Sequence, residues 1–406
     1  MAKVITDKNK IEEVLSRGVE KIYPNKDFLQ KILASGKRIR LYGGFDPSAP
    51  ALHIGNAILL NKLSQFQDLG HEVIFLIGDF TGMIGDPTDK KATRKKMTRK
   101  EVLENAKNYK KQASAYLKFS GGNKAKVMYN SKWSDKISFK DLIEITSNFT
   151  VQQMIQRDMF QERLKEDRPI YFHEFLYPVA QGYDSVAMDV DLEIGGNDQM
   201  FNMMAGRDLI KAMKNKEKFV ITTKLLADDK GIKMGKTEGN AVFLNETPEN
   251  MYGIIMSWPD GVIGSGFELC TKIPTAEVER IKKELSAGED NPRDLKMRLA
   301  FEITKINYGE AKAQKAQDYF IKTVQKKETP EEIENKKIKG NNWNIIELLA
   351  EIKLASSKSE ARRLVEQGGI KVEGEVIKDI NKKIEIGKDG ILIQRGKRQF
   401  VRVIGN

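Results

Sequence analysis

Apolar residues recur at near-helical spacing over residues 8–34, at Ile11, Val14, Leu15, Val19 and Ile22, until Pro24 interrupts them. The pattern predicts a helix there. Residues 38–45 read as a strand that runs into Asp46-Pro47-Ser48, which has turn chemistry. Residues 54–69 form a strong amphipathic helix pattern closed by Gly70. Glu72–Ile77 is a short apolar run rich in β-branched residues, hence a buried strand, and it ends at Gly78-Asp79. Helical spacing returns over 99–119, and Lys126–Tyr129 is another short strand. Buried strands alternating with helices predict an α/β fold, a parallel sheet covered by helices on both faces. Ligands of such sheets sit beyond the carboxyl ends of the strands, so residues 46–56 and 78–91 should face one cleft.

From about Pro248 the pattern turns helical without strong strand signals, over Pro248–Met256, 275–285, Pro292–Tyr308 and 310–326. Residues 326–342 are nearly all polar and read as a linker. Two short helices follow at 344–351 and 358–367, then Gly368-Gly369 and short strands at Ile370–Val372, Glu375–Ile377, 391–394 and 400–403. The chain shows no internal repeat and no low-complexity tract.

Composition narrows the class. A chain of 406 residues implies two or three domains, because single cores stop growing beyond roughly 250–300 residues. Its 40% hydrophobic residues are too many for a disordered chain, and no apolar run approaches the ~20 residues of a membrane span. The N-terminus lacks the apolar core of a secretory signal, and the single cysteine, Cys270, rules out an intrachain disulfide framework; a cytoplasmic protein is expected. With three histidines besides that cysteine, no protein-bound metal is expected. Lys and Arg number 69 against 57 Asp and Glu, a net charge of +12 that suggests a polyanionic partner. The excess concentrates between Lys90 and Lys118, where eleven basic residues face only Glu101 and Glu104. With few aromatic residues there, such a segment would contact a phosphate backbone rather than stack on bases.

Two segments carry the chemistry. In LYGGFDPSAPALHIGNAILLNKL (41–63), His53-Ile54-Gly55-Asn56 falls at a helix N-terminus just after a strand. Helix N-termini offer unpaired N–H groups and positive partial charge, which suit phosphate. Gly55 permits close approach to the backbone, and His53 can donate to phosphate oxygens as charge builds. In GIKMGKTEGN (231–240), Lys233 and Lys236 lie three apart among glycines, a cationic loop able to follow charge onto a leaving pyrophosphate.

Together, in this order, the two segments resemble the HIGH and KMSKS signatures of class I aminoacyl-tRNA synthetases. With FTGMIGDPTDKKATR, YPVAQGYDSVAM and IGGNDQM the chain is similar, over nearly its whole length, to the bacterial-type tyrosyl-tRNA synthetases. The resemblance implies a Rossmann-like catalytic domain over 1–245 with a dimerisation insertion at about 120–167. It also implies an α-helical anticodon-side domain over 246–325, the linker at 326–342, and a small α+β RNA-binding domain over 343–406. The implied activity is that of a tyrosine–tRNA ligase. Tyrosine attacks the α-phosphate of ATP, giving tyrosyl-adenylate and pyrophosphate, and the acyl group then moves to the 3′ end of tRNA(Tyr). Such chemistry rests on positioning and charge stabilisation, and the carboxylate needs no general base. Mg²⁺ would arrive with ATP.

Residue by residue, the resemblance gives Tyr42 and Asp184 the substrate phenol. It gives Asp86, Tyr177, Gln181 and Gln199 the α-amino and carboxylate groups, and Asp198 and Gly196 the ribose side. Tyr177, Gln181 and Asp184 also share one face of a helix, where an ordinary amphipathic helix would place apolar residues. Ser48, His53, Lys233, Lys236 and Thr237 match contacts to ATP phosphates and pyrophosphate, Lys90 and Arg94 a basic loop reaching pyrophosphate, and Asp46, Gly55 and Asn56 the nucleotide border. The departures are Asn56 for the second histidine of HIGH, Gly235 for the middle serine of KMSKS, Thr237 for its last serine, and Gly43 where some relatives contact ribose. The stretch 354–365 with GGIKVEGEVIKD resembles an S-four-type RNA-binding domain, with Lys358, Arg362 and Arg363 toward RNA and a net charge of +4 over 343–406. A homodimer is implied as well; Leu142, Ile143, Ile145, Phe149, Val151 and Met154 suit an interface or a core equally. Two other readings stand beside this one, an adenylyltransferase with a similar helix and a non-catalytic RNA-binding descendant of a synthetase. Intact signature residues and the basic C-terminal module weigh against both.

Overall fold

Six strands organise the N-terminal part: β1 (Val19–Tyr23), β2 (Arg40–Phe45), β3 (Glu72–Ile77), β4 (Lys126–Tyr129), β5 (Leu192–Gly196) and β6 (Phe219–Thr223). Their order is β1-β6-β5-β2-β3-β4, with β1 antiparallel to β6 and all other pairs parallel. The computed structural model describes residues 3–87, 96–228, 231, 234, 241–288, 290–326, 333–387, 390–396 and 399–405. The apolar runs of β3 and β6 are buried, as a sheet covered on both faces requires. From β2 the chain winds outward through β3 and β4, then returns to place β5 on the other side of β2. The crevice beyond β2 and β5 is therefore the switch point where a doubly wound sheet takes its ligand.

The described residues form two compact units, 1–246 with 258–308, and 247–257 with 309–406. In the first, the expected helix over 8–34 is instead α1 (Lys8–Ser16), strand β1 and α2 (Lys26–Ala34). Gly18, at a φ of 64°, ends the helical run, and Val19 and Ile22 belong to β1 although their spacing continues that of α1. The expected helix over 99–119 is two helices, Arg99–Ala106 and Tyr109–Ala113, whose buried Val102, Ala106, Tyr109 and Ala113 keep one period across the break. The long helix α3 (Ile54–Asp68) covers β2, β3 and β5.

Helices expected in one domain over 246–325 divide between the units. Ile263–Cys270, Thr275–Ala287 and Pro292–Tyr308 belong to the first, Pro248–Met256 and Glu310–Phe320 to the second. The buried Arg17 shows why Ile263–Cys270 stays with the N-terminal sheet. Its guanidinium donates to the carbonyls of Phe267 (3.2 Å), Glu268 (2.9 Å) and Thr271 (2.8 Å), satisfying the open end of that helix.

The second unit contains a five-stranded sheet and a two-stranded ribbon: β7 (Glu334–Ile338), β8 (Asn342–Asn344), β9 (Ile370–Val372), β10 (Glu375–Ile377), β11 (Lys383–Glu385), β12 (Ile391–Arg395) and β13 (Gln399–Gly405). Strand β7 lies inside the stretch expected as linker. It is an edge strand parallel to β13 with only Ile338 buried, so its polarity reads as linker sequence. The core is built from Ile345, Leu348, Leu349, Ala361, Val365 and the inward residues of β12 and β13.

Candidate active site

Asp46 follows β2 at the switch point. Tyr177 donates its hydroxyl to Asp46 Oδ2 (2.9 Å), and Thr81 donates to Oδ1 (2.7 Å). A Cβ at Gly78, where β3 ends, would overlap Asp46 Oδ1 and Thr81 Oγ1, so the cluster demands glycine there. Asp86 accepts from Gln199 Nε2 at 2.6 Å, and Asn202 donates to Gln199 Oε1 at 2.9 Å. Arg157 stands 4.0 Å from Asp86, its guanidinium over the ring of Phe201.

The Phe172–Met188 helix carries the expected polar stripe, and Asp184 on it is buried. Trp133 Nε1 donates to Asp184 Oδ1 at 2.7 Å and Asn130 Nδ2 to Oδ2 at 3.2 Å. Burial nevertheless pushes the Asp184 carboxyl well above the usual carboxylate range, against the pull of those two donors. Burial, with Glu193 and Asp184 nearby, likewise pushes the Tyr42 phenol well up. The Tyr42 hydroxyl lies 3.1 Å from Ser185 Oγ. Behind it Lys218, wholly buried, donates to Ser185 Oγ (2.7 Å), to Glu193 Oε2 and to the Met203 carbonyl (3.2 Å). Glu193 Oε1 in turn accepts from Gln181 Nε2 at 3.0 Å. Tyr42 and Gln181 are thus anchored to the same buried ion pair.

His53 caps α3. Its Nδ1 accepts from the Gly55 N–H at 3.1 Å, and its own N–H donates to Asn56 Oδ1 at 3.0 Å. With Nδ1 accepting, the neutral ring carries its proton on Nε2, the tautomer that can donate to an anion. Gly55 serves a contact nearer than any ligand: a Cβ there would stand 2.9 Å from His53 Cε1. The cap is tied to the chain just after the lysine segment, through Ile54 N to Val242 O and Leu244 N to Leu52 O, each 2.8 Å. Residues 52–54 and 242–244, about 190 apart in the chain, are thereby paired at the start of α3. Of the lysine segment the structure describes Gly231 and Met234; Met234 is buried and its N–H donates to Leu226 O at 2.7 Å. A separate cavity of about 310 Å³, lined by Asn61, Lys62 and Glu268, holds none of the expected site residues.

Comparison with known proteins fits this geometry. The family of class I tRNA synthetases for tryptophan and tyrosine matches residues 34–325, and the C-terminal domain of tyrosine–tRNA ligases of the SYY type matches 325–403. The chain is 44% identical over 395 residues to the tyrosine–tRNA ligase of Thermotoga maritima, covering 97% of each. It is 43% identical over 390 residues to that of Haemophilus ducreyi, covering 96% of each. The chain belongs to the class I tyrosyl-tRNA synthetases. Solved tyrosyl-tRNA synthetases share its fold. That of Archaeoglobus fulgidus, complexed with L-tyrosine, has a TM-score of 0.59 at 20% identity, covering 77% of this chain and all of that one. The mitochondrial enzyme of Coccidioides posadasii has a TM-score of 0.61 at 24% identity, covering 76% of this chain and 91% of that one.

Within this synthetase, Tyr42, Asp46, Asp86, Tyr177, Gln181, Asp184 and Gln199 fall on elements around one switch point. Asp46, expected at the nucleotide border, bonds to Tyr177 of the amino-acid group. Ser48 is exposed in the loop after Asp46, and Asp198 lies so close to Gly196 that a Cβ there would be 2.5 Å from its Oδ1. Lys90, Arg94, Lys233, Lys236 and Thr237 lie outside the described residues. Gly43 packs under α3, where a Cβ would meet Leu63 Cδ1 at 3.0 Å. In the C-terminal unit Arg362 and Arg363 are exposed on the Lys358–Glu366 helix, opposite the buried Ala361 and Val365, and Lys358 pairs with Glu347 at 2.6 Å. Arg99, counted with the basic segment, is committed instead to Asp79 and Asp135.

Sequence reasoning missed Trp133, Asn130, Ser185, Glu193 and Lys218. A signal existed for two of them: Glu193 and Lys218 are charges inside or beside apolar strand sequences, where an unpaired charge is costly. Their pairing becomes visible only once β5 lies against β6.

Proposed function

We propose that this protein is a tyrosine–tRNA ligase that makes tyrosyl-adenylate from tyrosine and ATP and then charges tRNA(Tyr). The observation that carries the tyrosine reading is the buried Asp184, held by two N–H donors and next in the chain to the buried Ser185, the contact of Tyr42. Such a carboxylate accepts the proton of a phenol, and the buried polar groups stay unpaired when phenylalanine is offered instead.

In the first step a carboxylate oxygen of tyrosine bonds to the α-phosphorus, the α–β phosphoanhydride bond breaks, and pyrophosphate leaves. Asp86, Tyr177, Gln181 and Gln199 would hold the amino and carboxylate groups in line. Asp198, Gly196 and Asn56 would border the ribose. His53 Nε2 and the N-terminus of α3 would take charge from the triphosphate, with Ser48, Lys233, Lys236 and Thr237 completing the phosphate contacts and Lys90 and Arg94 reaching pyrophosphate. Mg²⁺ bound to ATP would neutralise part of that charge. In the second step the terminal ribose hydroxyl of tRNA takes the acyl group and AMP leaves.

Exposed lysines at 96, 100, 107, 110 and 111 in the first unit, and separately Arg362 and Arg363 in the second, would each contact a phosphate backbone of tRNA. A homodimer is supported by Phe139, Ile143 and Val151, exposed to 80%, 57% and 72% in the expected interface segment, while Ile145 and Met154 of the same segment are core. Sedimentation as a monomer alone would contradict it. Charging of tRNA implies a cytoplasmic setting; among the described residues no helix is long and apolar enough to cross a membrane. Charging of tRNA(Tyr) with labelled tyrosine tests the proposal. Stable aminoacylation with tyrosine is expected, and charging with another amino acid in its place would refute it.

A further inference from the structure

We propose that Lys218 fixes the direction of a hydrogen-bond relay, Lys218 to Ser185 to Tyr42 to the substrate phenol, and so acts as a positioning residue for tyrosine specificity. The proposal rests on the tyrosine reading above.

Lys218 is wholly buried, 6.0 Å from the centre of the Tyr42 ring. Its three N–H groups have three acceptors: Ser185 Oγ at 2.7 Å, Glu193 Oε2, and the Met203 carbonyl at 3.2 Å. An ammonium only donates, so Ser185 Oγ accepts from it and keeps one proton to give. Two acceptors stand within reach, Tyr42 at 3.1 Å and Glu193 Oε2 at 3.5 Å. The Glu193 oxygen already takes Lys218, and the shorter contact directs the Ser185 proton to Tyr42. The Tyr42 oxygen then accepts; Glu193 competes for the Tyr42 proton, and Lys218, by holding that carboxylate, leaves the proton to the pocket. Burial holds the Tyr42 phenol well above its ordinary pKa, so it keeps that proton.

On the far side both Asp184 oxygens accept, from Trp133 and Asn130, so Asp184 faces the pocket as an acceptor. A phenol between the two receives one hydrogen bond from Tyr42 and gives one to Asp184. With the relay reversed, Tyr42 and Asp184 would both present oxygen lone pairs to a group with one proton. Gly206 keeps the space: a Cβ there would stand 2.6 Å from Lys218 Nζ and 2.9 Å from Ser185 Oγ.

The test is tyrosine- and phenylalanine-dependent ATP–pyrophosphate exchange by the full chain, Ser185→Ala, the double variant Lys218→Met with Glu193→Gln, and the triple variant. The double variant leaves no unpaired charge behind, and Ser185→Ala keeps the ion pair, so a folded variant is available if the double one melts early. The expected result is at least about a tenfold fall in kcat/KM for tyrosine, mostly in KM, with phenylalanine unchanged. Losses in the triple variant should not add, because the residues act in one chain. A parallel fall for both amino acids, an unchanged ratio in Ser185→Ala, or additive losses would overturn the relay. Absence of tyrosine exchange in the unaltered chain would instead refute the tyrosine reading.

Discussion

The indole N–H of Trp133 donates to the Asp184 carboxylate at 2.7 Å, inside a pocket that otherwise favours the neutral acid. Burial raises the carboxyl, and the indole opposes it by stabilising the charged form. In the proposed pocket the substrate phenol would need the charged form, so tyrosine binding should weaken as pH falls through the raised Asp184 pKa. Trp133→Phe removes the donor and keeps the ring, which raises that pKa further. The acid limb of kcat/KM for tyrosine should therefore move to higher pH in the variant; an unmoved limb would show that Asp184 is not the titrating group.

Gly78 tests the neighbouring cluster. Gly78→Ala pushes against Asp46, which accepts from the Tyr177 hydroxyl, and against Thr81, which donates to Asp46. KM for tyrosine should rise about tenfold or more from the lost charge-assisted contact. Steady-state exchange kinetics on a variant with a normal circular dichroism spectrum would check it.

In the proposed reaction Lys236 would act on charge that develops as pyrophosphate leaves. Lys236→Ala should lower the rate of adenylate formation by about 10²–10³ with little change in tyrosine affinity. Pre-steady-state fluorescence with equilibrium dialysis separates the two. A matching loss of tyrosine binding would argue for a different role.

Acid stability should depend on His71. Burial, with Arg38 nearby, lowers its pKa from 6.5 to about 4. The unfolded chain therefore binds a proton that the folded chain refuses. The stabilisation is complete above about pH 6.5 and is lost as pH falls to about 4, up to about 3 kcal/mol. His71→Gln lacks this titration, so chemical denaturation at pH 7 and 4.5 should show a smaller acid loss in the variant than in the unaltered chain.

Much of this site was legible because its residues break the periodic pattern of their own elements. Gln181 and Asp184 are polar on a stripe that should be apolar, and His53-Ile54-Gly55 stands where a strand hands over to a helix. Strands β2 to β4 were readable from short apolar runs. β1 was not, because Val19 and Ile22 continue the spacing of α1, and only Gly18 marks the change. β7 was hidden by its edge position, which needs one buried residue rather than an alternating set. Glu193 and Lys218 each stood out as a charge against an apolar strand sequence, but their pairing is invisible until the sheet sets them side by side.

The most direct measurement is ATP–pyrophosphate exchange driven by tyrosine, compared between the unaltered chain and Asp184→Asn. Brisk exchange with tyrosine that collapses in the variant, with phenylalanine a poor substrate for the unaltered chain, is the expected result. Exchange in Asp184→Asn equal to that of the unaltered chain would contradict the assignment of this buried carboxylate to the tyrosine phenol.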